Sequence, residues 1–212
     1  MDGVLFDSMP HHAIAWEEIM KKHNLPFTAR DCYINEGRTG SSVIQEAMQK
    51  AYNRDATSEE VKVIYAEKAA YFHSLGAARP IMGVMEVLRW VKLCGHQIWV
   101  VTGSGQMKLI DNLHATFPNI FQRNRIICGY DVTHGKPHPE PYLKAWERSG
   151  LKKEDCIVIE NAPLGVRSGK TAGLTVFAVN TGILLDSDLL DAGADCVFDS
   201  MVELLSYLQT SF

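Results

Sequence analysis

The sequence predicts an α/β protein in which a doubly wound parallel-sheet core carries an inserted, all-helical cap domain. From about residue 10 to residue 75, apolar residues recur at helical spacing and no strand-like run appears. From about residue 80 onward, short β-rich apolar runs alternate with helical segments. Such alternation is typical of a parallel sheet covered by helices. We therefore expect residues 1–9 and 76–212 to form the core and residues 10–75 to form the cap.

The cap is predicted to contain three helices. The first is expected to begin after Ser8, whose hydroxyl can cap it, with Pro10 in the first turn. The second is expected over about residues 41–52, and the third after a capping-box sequence at residues 57–60. One face of the first helix carries Trp16, Ile19, Met20 and His23, and one face of the third carries Val61, Ile64, Tyr65 and Lys68.

The core is predicted from strand-like runs that alternate with helical patterns. The runs are residues 97–101, 125–128, 156–159, 175–179 and 195–198, and the helical patterns are residues 84–93, 108–116, 141–149 and 164–171. Two of the runs, 98–101 and 157–159, are continuously apolar, as parallel strands covered on both faces should be. Open sheets of this kind bind ligands beyond the carboxyl ends of their strands, so we expect the cap to lie there.

Composition excludes several classes of function. The chain has 212 residues, 46% of them hydrophobic and 22% charged, and a net charge of −4. A net charge of this sign does not create the positive field that attracts nucleic acid. The sequence shows no apolar run long enough to span a membrane and no signal peptide for export. Its five cysteines form no C-x-x-C pair and predict buried free thiols rather than disulfides or a zinc site. They are Cys32, Cys94, Cys128, Cys156 and Cys196. We expect a cytoplasmic monomer.

Polar residues follow three of the predicted strands. Thr102-Gly103-Ser104 combines hydroxyls and flexible amides at a helix start, which suits an anion, although a plain strand-to-helix turn would have the same sequence. Lys136 lies between Gly135 and Pro137 in a loop that the prolines are expected to stiffen and push outward, where its ammonium could neutralise a phosphoryl oxygen. A solvated loop lysine is the alternative interpretation.

The third strand end offers metal ligands. Glu160 and Asn161 follow the apolar run at residues 157–159. A carboxylate and an amide oxygen at a strand tip are hard ligands that suit Mg²⁺, whereas the alternative is an ordinary strand end with Asn161 in a turn.

Together with the N-terminus, these segments resemble the motifs of the haloacid dehalogenase superfamily of phosphoryl-transfer enzymes, in the same order along the chain. Met1-Asp2-Gly3 and Asp7-Ser8 match the second half of the Asp-x-Asp-Gly motif, followed by Thr102-Gly103-Ser104, by Lys136-Pro137, and by Glu160-Asn161 with Gly165 downstream. The helical insertion is most similar to that of the β-phosphoglucomutase-like group. The resemblance implies a Rossmann-like core.

The resemblance implies a two-step phosphoryl transfer through an aspartyl-phosphate. Its nucleophile would be an aspartate immediately before Met1, so we expect the chain as given to be inactive and Met1 to be an internal methionine. Asp2 would be the general acid and base. Mg²⁺ would be held by the preceding aspartate, by the Asp2 backbone carbonyl, and by Glu160 or Asn161. An asparagine in place of a second carboxylate should weaken the binding of Mg²⁺ without abolishing it.

The remaining roles implied by the resemblance concern the phosphoryl group and the cap. Thr102, Gly103, Ser104 and Lys136 would hold the phosphoryl oxygens. Glu36, Arg38, Lys68 and His12 align with positions that face substrate; for each, a solvated charge or a helix-start residue is the alternative. The Ser-Arg pair typical of phosphoglucomutase-type relatives is absent, and Arg38 directly follows Gly37.

These residues favour a Mg²⁺-dependent phosphohydrolase acting on a small anionic metabolite, either a sugar phosphate or inorganic pyrophosphate. A β-phosphoglucomutase is the second hypothesis, and a non-catalytic binding protein that has lost its nucleophile is the third. Packing argues against the third, because losing about 5 buried apolar residues of a central strand would cost on the order of 10 kcal/mol. That equals the net stability of a typical domain, about 5–15 kcal/mol.

Overall fold

The cap consists of four helices. A computed structural model describes residues 1–103 and 107–211, without the side chains of residues 107–110. The cap helices are α1 (Met9–Lys22), α2 (Ala29–Ile34), α3 (Gly40–Tyr52) and α4 (Ser58–Ser74). The three predicted helices are confirmed, and a capping box at Thr57 and Glu60 begins α4 as expected. The six-residue α2 was not predicted because it is too short to show periodicity, although Thr28 and Asp31 form a capping box there.

The prediction that the Ser8 hydroxyl caps α1 is wrong. Ser8 precedes α1, but its side chain makes no cap hydrogen bond. Its hydroxyl instead donates to Asp2 Oδ1 at 2.6 Å, and its backbone has helical angles (φ −95°, ψ −16°) rather than the extended conformation usual for a capping serine. Ser8 therefore serves the N-terminal segment rather than the helix.

The core contains two parallel sheets. One pairs β1 (Val100–Val101) with β2 (Ile126–Ile127), and the other has the order β3 (Ile157–Glu160), β4 (Thr175–Val179), β5 (Cys196–Phe198). All five predicted strand runs are confirmed, with shorter bounds for β1 and β2. The strands pair in parallel within each sheet. Gly103, which follows Thr102, and Lys136, which binds Glu160, both lie next to Gly37 of the cap, so these two strand ends face the same region.

Helices cover these sheets. They are α5 (Val84–Leu93), α6 (Met107–Thr116), α7 (Glu140–Ser149), α8 (Pro163–Thr171), α9 (Asp186–Leu190) and α10 (Met201–Ser211). The four predicted core helices are confirmed; α9 and α10 were not predicted. No helix in the described ranges is both long and apolar enough to cross a membrane.

The N-terminal segment forms a tight turn against the core. The Met1 carbonyl accepts a hydrogen bond from the Leu5 amide at 2.8 Å, and the Asp7 amide donates to the Arg79 carbonyl at 2.8 Å. Gly3 has φ +66°, and a Cβ there would lie 1.9 Å from Asn161 Nδ2. Only glycine fits both constraints, so Gly3 lets the Asp2 segment approach the tip of β3.

One apolar cluster joins the cap helices to the β3–β4 sheet. It includes Ile44 and Met20 from the cap and Val166 and Val176 from the core, each fully buried. A second cluster packs Leu5 and other core residues beneath the sheets. Because residues of the cap and of the core are buried together in the first cluster, the cap packs on the core at the strand ends. The exact boundaries of the two domains stay a prediction.

All five cysteines are free. The expectation of burial holds only for Cys32, because Cys94 is exposed and the other three are partly exposed. Cys94 follows the last residue of α5 in a surface turn, where nothing covers it.

Replacing Ile44 by alanine should lower the free energy of unfolding by about 2–5 kcal/mol, because the cavity left in the cluster between cap and core cannot collapse fully. Ile14→Ala is the matched control: Ile14 lies on α1 and is 43% exposed, so its cost should stay within about 0.5 kcal/mol. Urea unfolding measures both. Equal costs would contradict this account of the cap's packing.

Candidate active site

Glu160 is the most constrained side chain at the strand ends. It is buried at the end of β3, and its Oε1 accepts hydrogen bonds from Lys136 Nζ at 2.5 Å and from the Tyr142 hydroxyl. Burial acts to raise the pKa of Glu160, but the charges of Lys136 and of the Met1 amino group, with the hydrogen bonds from Lys136 and Tyr142, outweigh burial and hold the pKa below its usual range. A Cβ on Gly165 would lie 2.1 Å from Glu160 Cδ, so the α8 glycine makes room for this carboxylate.

Lys136 points inward rather than outward. Its side chain is only 10% exposed, so the prediction that the prolines push it outward is wrong. Burial acts to lower the pKa of Lys136, yet the Glu160 charge and hydrogen bond raise it, and the ammonium stays charged. Attraction to a buried carboxylate thus decides the direction of this side chain. Gly37 of the cap has φ +93° and packs on Lys136, where a Cβ would lie 3.2 Å from Lys136 Cδ.

Asn161 links the core to the cap. Its Nδ2 donates to Glu36 Oε2 at 2.8 Å, across 125 positions of sequence. In this orientation the amide nitrogen, which is the donor, faces Glu36. Asn161 Oδ1 is then buried, and within the described part of the chain it has no hydrogen-bond partner. A buried, unpaired oxygen at this position is an available ligand.

Glu36 brings a second carboxylate to the same place. It lies in the loop after α2, and burial together with the negative charge of Glu160 raises its pKa well above its usual range. The Asp2 carboxylate is near enough to raise it further. The buried Glu160, the partly buried Glu36 and an unpaired amide oxygen form a hard-oxygen set that a divalent cation would satisfy. Sequence reasoning assigned Glu36 to the substrate; its position places it with the metal-ligand candidates.

Asp2 is held by a second chain of contacts. Its Oδ1 accepts the Ser8 hydroxyl, and His12 Nε2 lies 3.8 Å away. His12 Nδ1 lies 2.7 Å from Lys68 Nζ, and the His12 ring stacks on Phe72. Burial acts to raise the pKa of Asp2, but His12, the charge of the Met1 amino group and the Ser8 hydrogen bond together overcome burial and lower the pKa below its usual range. Asp2 is therefore a carboxylate, oriented from both sides.

Lys68 is a buried amine on α4. It is 6% exposed, and burial lowers its pKa to about 8. Its ammonium lies over the rings of Trp16 and Phe72, at 5.2 and 4.8 Å from their centroids. Burial also lowers the pKa of His12, so at neutral pH Nδ1 of the neutral imidazole can accept a hydrogen bond from the Lys68 ammonium.

Arg38 occupies a separate place. It lines a cavity of about 540 Å³ between cap and core, together with Lys136, Gly135 and Arg167. Its guanidinium pairs with Glu46 and donates to the Ser42 carbonyl at 3.0 Å, so contacts within the cap position it. The structure therefore groups Glu36 with Lys136, Glu160 and Asn161, and places Arg38 in the wall of the adjoining cavity.

The predicted anion loop is described only in part. Thr102 is buried, and its amide donates to the Ile127 carbonyl at 2.9 Å. Gly103 is exposed and lies near the Gly37 carbonyl, whereas Ser104 lies outside the described residues. Sequence reasoning missed Tyr142, since a tyrosine after Pro141 gives no signal that its hydroxyl reaches Glu160.

Comparisons with known proteins identify the family. The model of the "Haloacid dehalogenase-like hydrolase" family matches residues 1–179. The chain belongs to this family. A solved structure named "Putative beta-phosphoglucomutase" from Bacteroides vulgatus is 45% identical, with a TM-score of 0.93, and the match covers 99% of this chain and 85% of that one.

Curated relatives extend the comparison. An uncharacterized protein from Haemophilus influenzae is 34% identical over 85% of this chain and 88% of its own length. The "Phosphorylated carbohydrates phosphatase" of Thermotoga maritima is 29% identical over 92% of this chain and 89% of its own length. The fold expected from the resemblance is thereby confirmed, and at the family level the chain is a hydrolase related to phosphatases.

Lys68→Met should change the pH dependence of stability. Because the folded pKa of Lys68 is about 8 against 10.5 for an ordinary lysine, the unfolded chain binds more protons between these values. Stability of the wild type should therefore rise with pH across this window, by about 1.4 kcal/mol per pH unit at most and about 3 kcal/mol in all.

In Lys68→Met this rise should vanish, and below pH 8 the variant should be the more stable protein because no ammonium is buried. Lys62→Met, which alters an exposed lysine of the same helix, is the control and should keep the wild-type profile. Urea unfolding at several pH values measures the difference. If the free energy of unfolding of Lys68→Met rose with pH by the same amount as that of the wild type, Lys68 would not be the source of the rise.

Proposed function

We propose that this protein is a Mg²⁺-dependent phosphohydrolase that acts on a small anionic phosphorylated metabolite through an aspartyl-phosphate. The observation that carries the proposal is the cluster of buried Glu160 and Asn161 with partly buried Glu36 beside Lys136, covered by the cap at the strand ends. The carboxylate and amide oxygens of this cluster suit Mg²⁺, and the Lys136 ammonium suits a phosphoryl oxygen. The cap excludes water from this place, which strengthens each of these interactions.

The residues that would hold Mg²⁺ are Glu160, Asn161 through Oδ1, Glu36 from the cap, and the Asp2 backbone carbonyl. When bound, Mg²⁺ would neutralise charge on the phosphoryl oxygens. Lys136 would exchange part of its contact with Glu160 for a phosphoryl oxygen, and Thr102 with the amides that follow would complete the oxyanion site. The nucleophile would be the aspartate that the resemblance places before Met1.

Asp2 would be the general acid and base. Its low pKa makes it a carboxylate before substrate arrives. A dianionic phosphate group beside it would raise this pKa, so Asp2 would take up a proton on binding and could pass it to the leaving oxygen. Once the leaving group has departed, the Asp2 carboxylate could accept a proton from the attacking water. Ser8 and His12 would keep the carboxylate aimed in both steps.

Two substrate classes remain within this proposal. The relative from Thermotoga maritima is named for phosphorylated carbohydrates, and the cavity of about 540 Å³ next to Lys136 has room for a sugar. Arg38, Arg167 and Lys136 in its wall would also suit a compact polyanion such as inorganic pyrophosphate.

A β-phosphoglucomutase is the second candidate, favoured by the 45% identity to the Bacteroides vulgatus protein of that name. A mutase must hold a sugar phosphate in two orientations. The only arginine of the cap loop at residues 35–42 is Arg38, and contacts within the cap hold it. This arrangement favours hydrolysis.

A phosphate-release screen with Mg²⁺ tests the proposal on protein extended before Met1 by an apolar strand ending in aspartate, beside the chain that begins at Met1. The screen contains sugar phosphates, β-glucose 1-phosphate and pyrophosphate. We expect the extended protein to release phosphate from one of these classes, and EDTA to abolish the release.

In the extended protein, Lys136→Met should slow hydrolysis by about 10²–10³-fold because it removes a phosphoryl ligand. The exposed Lys152→Met should leave the rate unchanged. Conversion of glucose 1-phosphate to glucose 6-phosphate faster than any hydrolysis would favour the mutase. No turnover of any compound would favour the binding-protein hypothesis.

A further inference from the structure

A second cluster of ligand groups lies outside the candidate active site, on the loop that carries Lys136. His134, His138 and Glu140 each offer one ligand atom, and these atoms lie within 4.8 Å of one another. His134 Nδ1 is 3.1 Å from Glu140 Oε2, and the two imidazole rings lie 4.6 Å apart, centroid to centroid. None of these three side chains contacts Glu160, Asn161 or Asp2 in the hydrogen bonds described.

The loop is built around the Glu140 carboxylate. Its two oxygens accept the backbone amides of Thr133 and His134, each at 2.8 Å, and its side chain is only 17% exposed. Ser168, which is fully buried, donates to the His138 carbonyl at 2.7 Å. The backbone that carries the three ligands is therefore held in place from both sides, and the two exposed imidazoles can rotate without moving it.

The ligand chemistry distinguishes this cluster from the site at Glu160. Two imidazoles and one carboxylate are the donors that Zn²⁺ and its neighbours Co²⁺ and Ni²⁺ prefer, whereas Mg²⁺ prefers oxygen alone. In a tetrahedral zinc site with bonds of about 2.0–2.1 Å, ligand atoms lie about 3.4 Å apart. The His134–Glu140 distance is already near that value, and rotation of the His138 ring would bring in the third ligand.

We propose that His134, His138 and Glu140 form a second metal site, selective for zinc-class divalent cations, with water completing the coordination. The Nζ of Lys144 is 3.0 Å from Glu140 Oε1, and its positive charge would repel a cation bound there. This repulsion limits the affinity of the site for the metal. Because Lys136 lies between the two histidines in sequence, a cation at this site would stabilise the loop that delivers Lys136 to Glu160. The site does not depend on the proposed function.

Cobalt titration followed by visible absorption tests this proposal in the full chain, since tetrahedral Co²⁺ absorbs more strongly than the hydrated ion. Isothermal calorimetry with Zn²⁺ gives the affinity. We expect one equivalent to bind with tetrahedral character, and His134→Ala or His138→Ala to weaken Zn²⁺ by at least about tenfold. Both histidines are exposed, so folding should survive, as far-ultraviolet circular dichroism would verify.

Two controls separate this site from other sources of binding. His96→Ala removes an exposed histidine from another part of the core and should leave the Zn²⁺ affinity unchanged. Glu36→Gln alters the strand-end site and should also leave it unchanged. The proposal is overturned if His134→Ala and His138→Ala bind Zn²⁺ like the wild type, or if Glu36→Gln abolishes the tetrahedral cobalt signal.

Discussion

The meeting of two carboxylates in one place, buried Glu160 from the sheet and partly buried Glu36 from the cap, is the constraint on which the rest of the site depends. A buried charge is costly unless an opposite charge or hydrogen bonds compensate it. Glu160 obtains that compensation from Lys136 and Tyr142. Glu36 accepts a hydrogen bond from Asn161 Nδ2, and the charge of Glu160 raises its pKa.

Glu36 therefore has less compensation for its charge than Glu160 has. This difference connects the electrostatics of the site to the position of the cap. The Asn161–Glu36 hydrogen bond and the packing of Gly37 on Lys136 hold the cap loop against the strand ends. A divalent cation among Glu36, Glu160 and Asn161 Oδ1 would turn mutual repulsion of the carboxylates into shared attraction. Closing the cap and completing the cation site would then be a single event, which would explain why a cap residue supplies a carboxylate rather than a neutral donor.

Much of the fold could be predicted from the sequence, because apolar runs and helical spacing are local signals. The strand ends at Thr102, Lys136 and Glu160 stood out because polar residues follow apolar runs there. The contacts that define the site could not be predicted in the same way. Asn161 and Glu36 are 125 residues apart, and nothing near either of them indicates the other. Ser8 resembled a helix cap because capping is the common use of a serine there, and only the folded chain shows that its hydroxyl donates a hydrogen bond to Asp2.

The central claim is that Glu36 and Glu160 share a cation, and the Mg²⁺ affinity of Glu36→Gln tests it most directly. Isothermal calorimetry on the full chain should show that Glu36→Gln weakens Mg²⁺ at least about tenfold, while the exposed Glu18→Gln binds like the wild type. Without Mg²⁺ and at neutral pH, Glu36→Gln should be more stable toward urea than the wild type, because the pKa of Glu36 is raised to about 8 in the folded protein and folding must therefore keep this side chain protonated at a pH where an ordinary glutamate ionises. Unchanged Mg²⁺ affinity in Glu36→Gln would contradict the account.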